Sequence, residues 1–408
     1  MFVMHLRILM IARHCGEVGS GGSRRPLLLA QGLQALGHHI TVATPFADIA
    51  HPYVLHVPLS DPAEPDDALP ERRASEAAFA LPQRPAQGLL SLPRKLLPVS
   101  VMERARRWRY VPDLDIAWAR RVEQAVLAER AGYDWVLTTS PPESLHAVGR
   151  DIARHVGGRW CADLRDGWIE LSHRDYIHGA RGKLEHFVAK QLLRDCNAVI
   201  AVNDAIAAEA HRLAGPAKPL LKLGHFSEPF HGEALTLSST HFNLIHAGGF
   251  SLSHRTRNLP KIAARLTEID VGRRSAGLAP LQLHIAGRLS EGEQQFVERS
   301  ANLRICAHGP LTLEQSRSLQ AGADGLLLYK APGAGGMGGK YAEYVTSDRP
   351  IFYVGPEDSR SQIDQYARLW PLEMLAQTSR GMRDAPVREF GKCDAAKRLV
   401  DFLIEAEK

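Results

Sequence analysis

The stretch 332–356 reads PGAGGMGGKYAEYVTSDRPIFYVGP and decides the fold. Five glycines (Gly333, Gly335, Gly336, Gly338 and Gly339) with Met337 among them empty into a short helical pattern carrying Lys340 and Glu343. The turn Ser347-Asp348-Arg349-Pro350 ends that pattern, and an apolar strand, Ile351 to Val354, follows and is closed by Gly355-Pro356. Glycine lacks a Cβ, so backbone N–H groups can approach an anion closely, and a helix start adds unpaired donors and a positive dipole end. Lys340 and Glu343 are three apart and share one face of the first turn. A phosphate-binding cation then sits beside a carboxylate able to accept two hydrogen bonds from a ribose diol. In the second half of a long α/β chain, this loop, helix and strand point to a nucleotide-sugar site. The competing reading is a tight turn with a surface Lys–Glu pair.

Outward from that segment, strand-like and helix-like runs alternate almost throughout, which argues an α/β fold with parallel sheets covered on both faces. Leu6 to Ala12 reads as a strand, followed by the loop Gly19-Ser20-Gly21-Gly22-Ser23. Pro26 sits just inside the next helix, Gly37 ends it, and Ile40 to Thr44 is the second strand. Trp118, Val122 and Val126 mark a helix, Trp135 to Thr138 a strand, Glu143 to His155 a helix and Trp160 to Asp163 a strand. A helix over Lys183 to Arg194 and a strand at Ala198 to Val202 complete the half. The sheet restarts at Phe242, with strands at Phe242 to Ala247, Leu281 to Ala286, Leu303 to Ala307 and Leu326 to Tyr329.

The pattern divides the chain into 1–222 and 240–390, two similar doubly wound domains, with a terminal helix over 391–408. Facing each other, they would form a cleft with a glycine loop on each wall and the ligand beyond the carboxyl ends of the strands. Residues 60–112 are rich in proline, alanine and arginine and read as an insertion in the first domain. Between 89 and 110 it pairs Leu89, Leu90, Leu92, Leu96, Leu97 and Val101 with Arg94, Lys95, Arg104, Arg106, Arg107 and Arg109. That composition suits an anionic membrane surface, or a solvated loop.

A length of 408 residues exceeds one comfortable core, in keeping with two domains. Apolar content of 45% and charged content of 23% are those of a soluble globular protein. A net charge of +5 and a pI near 9.0 suggest anionic partners. Nucleic acid is disfavoured, because no RNA-binding or zinc-finger pattern accompanies the charge. The five cysteines lie far apart without a CxxC and read as reduced, mostly buried thiols of a cytosolic protein. The apolar run in Met1 to Ala12 is too short for a signal peptide and lacks a cleavage site. No run approaches the roughly 18 to 20 apolar residues that span a bilayer. The expected location is the cytoplasm, with the insertion able to bring the chain to the inner face of the plasma membrane.

Further residues carry candidate chemistry. The first glycine loop lacks a dinucleotide fingerprint, since Arg24 holds the third glycine position and strand two ends at Thr44-Pro45 without an acidic residue. With Gly21, Gly22, Arg24 and Arg25 it suits an acceptor or donor phosphates, or is a plain βα connection. Gly248-Gly249, followed by His254, Arg255 and Arg257, suits a diphosphate through forked hydrogen bonds, or is a solvated basic loop. Asp163-Leu164-Arg165-Asp166 follows a strand, and its carboxylates would orient a sugar acceptor or form a structural ion-pair knot. His146, just after Thr139-Ser140-Pro141-Pro142, is either structural or directed at the cleft. Asp113-Leu114-Asp115 matches the acidic pair of metal-dependent sugar transferases, but it opens a helix, where aspartates cap. No HExxH spacing and no GxSxG elbow occurs.

With Gly19 to Gly22, Thr139 to Pro142, Asp163-Leu-Arg-Asp and, most specifically, Lys340-Tyr341-Ala342-Glu343-Tyr344 before Arg349-Pro350, nearly the whole chain resembles a GT-B-fold glycosyltransferase. The likeness is to the family 4 type that builds bacterial cell-surface polysaccharides, such as exopolysaccharide or O-antigen. It implies two Rossmann-like domains, with the carboxylate at Glu343 on the donor ribose. Arg255 or Arg257 and the glycine loop, together with Lys340, would hold the diphosphate. The family's second glutamate falls at Gly335, so amides from Gly335, Gly336, Met337 and Gly338 would take its place. Asp163, Arg165, Asp166 and His146 would serve the acceptor side. The resemblance implies retention of anomeric configuration without a metal or other cofactor. The acceptor would be a glycan or a polyprenyl-diphosphate-linked sugar. A sugar-nucleotide epimerase and a non-catalytic nucleotide-binding protein of the same fold are the alternatives.

Overall fold

The structure, a computed structural model, describes residues 5–15, 23–49, 51, 53–59, 112–169, 179–253, 256–330, 339–357, 369–384 and 391–407. The insertion over 60–111, Gly21, Gly22, Arg255, Gly335, Gly336, Met337 and Gly338 lie outside the described residues. The chain forms two compact units. The first comprises Met1–Gly16, Leu33–Leu223 and Leu399–Lys408, and the second Glu17–Gly32 and Gly224–Arg398.

The first unit holds a parallel sheet of β1 (Arg7–Ile11), β2 (His39–Thr44), β3 (Val54–His56), β4 (Trp135–Ser140), β5 (Arg159–Leu164), β6 (Ala198–Ala201) and β7 (Leu220–Lys222). Its order is β3-β2-β1-β4-β5-β6-β7. The helices are α1 (Arg24–Ala35), of which the part up to Gly32 groups with the second unit, α2 (Ile116–Glu129), α3 (Ser144–Val156), α4 (Gly179–Asp195) and α5 (Asp204–Ala214). β4 is buried at every residue, as a central parallel strand covered on both faces must be. Trp118, Trp160 and Trp168 anchor the core over it.

The second sheet, also parallel, holds β8 (Phe242–Ala247), β9 (Leu281–Ala286), β10 (Arg304–Gly309), β11 (Gly325–Tyr329), β12 (Ile351–Val354) and β13 (Leu369–Pro371). Its order is β10-β9-β8-β11-β12-β13. The helices here are α6 (Leu259–Ser275), α7 (Glu291–Arg299), α8 (Leu313–Gly322), α9 (Gly339–Val345) and α10 (Lys392–Glu405), the last shared with the first unit from Leu399 on. Alternate strand residues face two cores, Phe242, Leu244 and Leu283 in one and Ile245, Leu326 and Ile351 in the other.

Both sheets reverse strand order beside their first strand, between β1 and β4 and between β8 and β11, and such reversals open a crevice at the carboxyl edge. The short strands β3, β7 and β13 and helix α5 add to the pattern expected from sequence.

Four further hydrogen bonds organise the first unit. Trp118 Nε1 donates to Val57 O at 2.7 Å, and Arg121 donates to Leu59 O, so the chain on either side of 60–111 is tied together. Asp113 accepts the Ser144 amide at 2.8 Å and the Asp115 amide at 3.0 Å. The aspartate therefore caps, and the helix it caps is α3 rather than α2. Among the described residues no group of three or more His, Cys, Asp or Glu is placed to hold a metal, and no helix is long and apolar enough to cross a membrane. Cys15, Cys161 and Cys196 are buried, Cys306 half-buried and Cys393 exposed. Burial pushes the Cys15 and Cys196 thiols up to about 12.

Helix α3 lies close on β4 because Gly149 has no side chain. A Cβ there would overlap Thr138 Cγ2 and lie 3.1 Å from Trp160 Nε1. Gly149→Ala gains about 1 kcal/mol of helix propensity, but overpacking a rigid β-branched neighbour costs about 1–3 kcal/mol. Urea denaturation should show a net loss of about 1–2 kcal/mol, near the upper end of that cost less the gain.

Candidate functional site

At the carboxyl end of β8 the chain turns at Gly248, whose φ of +126° suits glycine alone. A Cβ at Gly248 would overlap Lys340 Nζ, so the lysine of α9 lies directly against the turn. Gly287, after β9, packs just as closely on the Gly248 backbone, and a Cβ at Gly249 would lie 2.7 Å from Arg288 O. Lys340 Nζ and Arg257 Nε are both buried without a hydrogen-bond partner. Burial, with the Arg257 guanidinium adding to it and Glu343 opposing, lowers the Lys340 ammonium to about 7. Burial also lowers Arg257. Gly339 is the first residue of α9.

Helix α9 is fixed by its other face. Tyr341, Ala342, Tyr344 and Val345 are buried, and the Tyr344 phenol accepts the Ala247 amide at 2.8 Å, tying the helix to the end of β8. Arg317 of α8 donates to Glu343 O at 2.8 Å and to Glu228 O at 2.9 Å, which satisfies a carbonyl in the last turn of α9. The Glu343 side chain accepts from Arg24 of α1 at Oε1 and from Gln320 Nε2 at Oε2 (3.3 Å). Lys340 and Glu343 thus share a helix face without pairing, and the surface ion pair is ruled out. Arg24, Arg317, Gln320 and Tyr344 complete the surroundings. Arg24 was signalled by the first glycine loop, though as a phosphate group and not as a partner of Glu343, and Tyr344 by the Lys-Tyr-Ala-Glu-Tyr run, whereas Arg317 and Gln320 had no local signal.

In the first unit the Thr-Ser-Pro-Pro and Asp-Leu-Arg-Asp segments are held together across β4 and β5. Thr139 Oγ1 donates to Asp163 Oδ2 at 2.8 Å, and Arg165 donates to Ser140 O at 2.9 Å and Pro141 O at 3.2 Å. The Ser140–Pro141 and Pro141–Pro142 peptides are both cis. Asp163 and Arg165 are buried, whereas Asp166 is exposed. Nearby, Arg13 pairs with Asp115 at 3.1 Å, which gives that aspartate a structural partner.

His146 departs from the position expected for a ligand-facing ring. It is 0% exposed, its Nδ1 lies 2.8 Å from Thr138 Oγ1, and its ring packs near Trp160 and Trp168. Burial lowers it to about 3, so it is a neutral core side chain. The buried face of α3 reads Leu145, His146, Gly149, Ile152 and Ala153, and that helical spacing was the available signal.

Residues 20–222 match the family model described as a glycosyl transferase 4-like domain. Comparison with curated proteins returns no match. The chain is similar in fold to sucrose-phosphate synthase from Thermosynechococcus elongatus, with a TM-score of 0.54, 15% identity, and coverage of 99% of this chain and 91% of that one. It is likewise similar to Anabaena Alr3699/HepE in complex with UDP and glucose, with a TM-score of 0.53, 13% identity, and coverage of 98% and 100%. Identities this low speak for the fold alone.

The buried histidines make the fold sensitive to acid. His146 and His246 are both lowered by burial to about 3, against an unfolded value of about 6.5. Their stabilisation is complete above the unfolded value and is lost as pH falls from there toward 3. Each contributes about 1.4 kcal/mol per pH unit across that window. Denaturant titrations between pH 6 and 4.5 should show this slope, and His146→Gln should remove one histidine's share of it.

Proposed function

From the match of residues 20–222 to a glycosyl transferase 4-like domain and the GT-B-like fold, we propose that the chain is a glycosyltransferase whose second unit binds a nucleotide-sugar donor, from which the sugar passes to a glycan or lipid-linked acceptor. The observation that carries this reading is a pair of half-buried cations, Lys340 against Gly248 and Arg257 close to Lys340, whose Nζ and Nε are shut off from water without a hydrogen-bond partner. Cations held out of water without an anion are costly, and a diphosphate supplies the missing charge. The Anabaena structure of similar fold holds UDP and glucose, which fits a diphosphate there.

Glu343 would hold the donor ribose. Arg24 and Gln320 engage one lone pair on each carboxylate oxygen, and a carboxylate offers about four acceptor positions, so two hydroxyls can still be received. The leaving diphosphate would be stabilised by Lys340 and Arg257, with no protein nucleophile and no metal, and anomeric configuration would be retained. On the acceptor side Asp166 is the exposed carboxylate able to orient a sugar hydroxyl. Asp163 and Arg165 would act by holding the β4 and β5 turns in place. An exopolysaccharide or O-antigen pathway, with the 60–111 insertion at an anionic membrane surface, would suit this chemistry.

Incubation with nucleotide sugars should yield transfer to a polyprenyl-diphosphate sugar, and isomerisation of the donor alone would overturn the reading in favour of an epimerase. Hydrogen bonds to a charged group contribute about 1.5–3 kcal/mol each, so Glu343→Ala should weaken nucleoside diphosphate binding by roughly one to two orders of magnitude in calorimetric titration. Asp166→Asn should lower turnover while nucleotide affinity stays near wild type. Exhaustive chelation should leave transfer near its untreated rate, and a loss restored by magnesium would reject the metal-free route.

A further inference from the structure

Lys340 is a half-buried side chain of α9 whose terminal Nζ is shut off from water. Its Nζ lies against the Cα of Gly248, out of contact with solvent and without a hydrogen-bond acceptor. The carboxylate three residues along is engaged by Arg24 and Gln320. Arg257, on the loop after β8, repels the Lys340 ammonium. An ammonium in such a place loses its hydration and gains only the attraction of Glu343 in exchange, with no hydrogen bond, so the balance shifts toward the amine. A bound diphosphate reverses the balance by bringing up to three negative charges and several acceptor oxygens to Nζ.

We propose that Lys340 takes up one proton from solvent as a nucleoside diphosphate binds beside Gly248 and Arg257, so that donor binding and lysine protonation are a single event. This rests on the diphosphate assignment of the second unit made above. The free amine's value of about 7 places the linkage in the neutral to alkaline range. Below that value Lys340 is charged in both states, and its protonation adds no pH dependence. Above it the free side chain is neutral and the bound one charged, so affinity falls as pH rises. Departure of the product diphosphate returns the proton and is favoured by alkaline conditions.

The groups facing Lys340 do not produce the same signal. His246 of β8 is held neutral, lowered to about 3 by burial with Lys340 and Arg257 adding to it. Tyr344 of α9 is pushed up, chiefly by burial, and remains a phenol. Tyr329, at the end of β11, interacts with Arg257. Arg257 keeps its charge, since a guanidinium does not titrate below pH 9. Glu343 lies on the same helix, paired with Arg24. His254 and Arg255, on the same loop as Arg257, lie outside the described residues. A histidine's ordinary value of about 6.5 falls below the range tested.

The test is isothermal titration of the full chain with UDP, and with GDP in parallel, at pH 7.5, 8.25 and 9 in buffers of different protonation enthalpy. The nucleotide phosphates are fully ionised there, since a phosphate's second ionisation lies near pH 6. The wild type should take up close to one proton at pH 8.25 and above, and its affinity should fall by about tenfold per pH unit. Lys340→Arg, charged throughout, should bind without proton uptake and with a flat profile. Lys340→Met should bind more weakly at pH 7.5 and also lose the slope. Wild-type binding without proton uptake, or undiminished uptake in either variant, overturns the proposal while leaving the diphosphate site intact. Failure of both nucleotides to bind the wild type would reject the diphosphate site itself, and this inference with it.

Discussion

The missing side chain of Gly248 is the constraint on which the carboxyl edge of the second sheet depends. Its positive φ turns the chain away from β8, and the space where a Cβ would stand is filled by Lys340. Gly287 presses on the same backbone from β9, so neither strand end can shift alone. A larger residue at Gly248 would be strained by its φ and would displace the lysine as well. The turn, the cation and the first residues of α9 are therefore one unit of structure.

The rest of the site is assembled through the buried face and hydrogen bonds of α9. Tyr344 is wholly buried, and its hydroxyl accepts a strand-end amide, which sets the rotation of α9. With that rotation fixed, Lys340 turns toward Gly248 and Glu343 toward Arg24 and Gln320. Arg317 then satisfies the helix's last turn through Glu343 O. The chemistry of the short helix follows from which of its faces is apolar, a property of seven residues held in place by neighbours from β8, α1 and α8.

Much of this was legible in the sequence. The bounds of β8, β9 and β12 coincide with the strands read there, whose predominantly apolar residues register even though Asn243, His246, Gln282 and His284 are buried among them. The run from Gly333 to Pro350 announced α9, its two polar residues and the strand after it. What could not be read was partnership over distance. Arg24 and Glu343 are 319 residues apart, and no local pattern marks them as partners. His146 illustrates a different limit, since its position in the helix was foreseen but not the face it takes. Its spacing with Gly149 and Ala153 matches a buried stripe, yet a polar ring in that stripe is legible only once Thr138 is known to lie opposite. The strands β3, β7 and β13 are three residues each, too short for any periodicity to register.

The ties from Trp118 to Val57 and from Arg121 to Leu59 bear on how the first unit can change over time. They close a stem at the base of the 60–111 segment, so the end-to-end distance of that segment is set by the folded unit and not by its own sequence. For a chain held at both ends, each doubling of length costs only about 0.6 kcal/mol in closure entropy. Val57 and Leu59 on one side and Trp118 and Arg121 on the other therefore fix the separation that the intervening chain has to bridge, whatever its length.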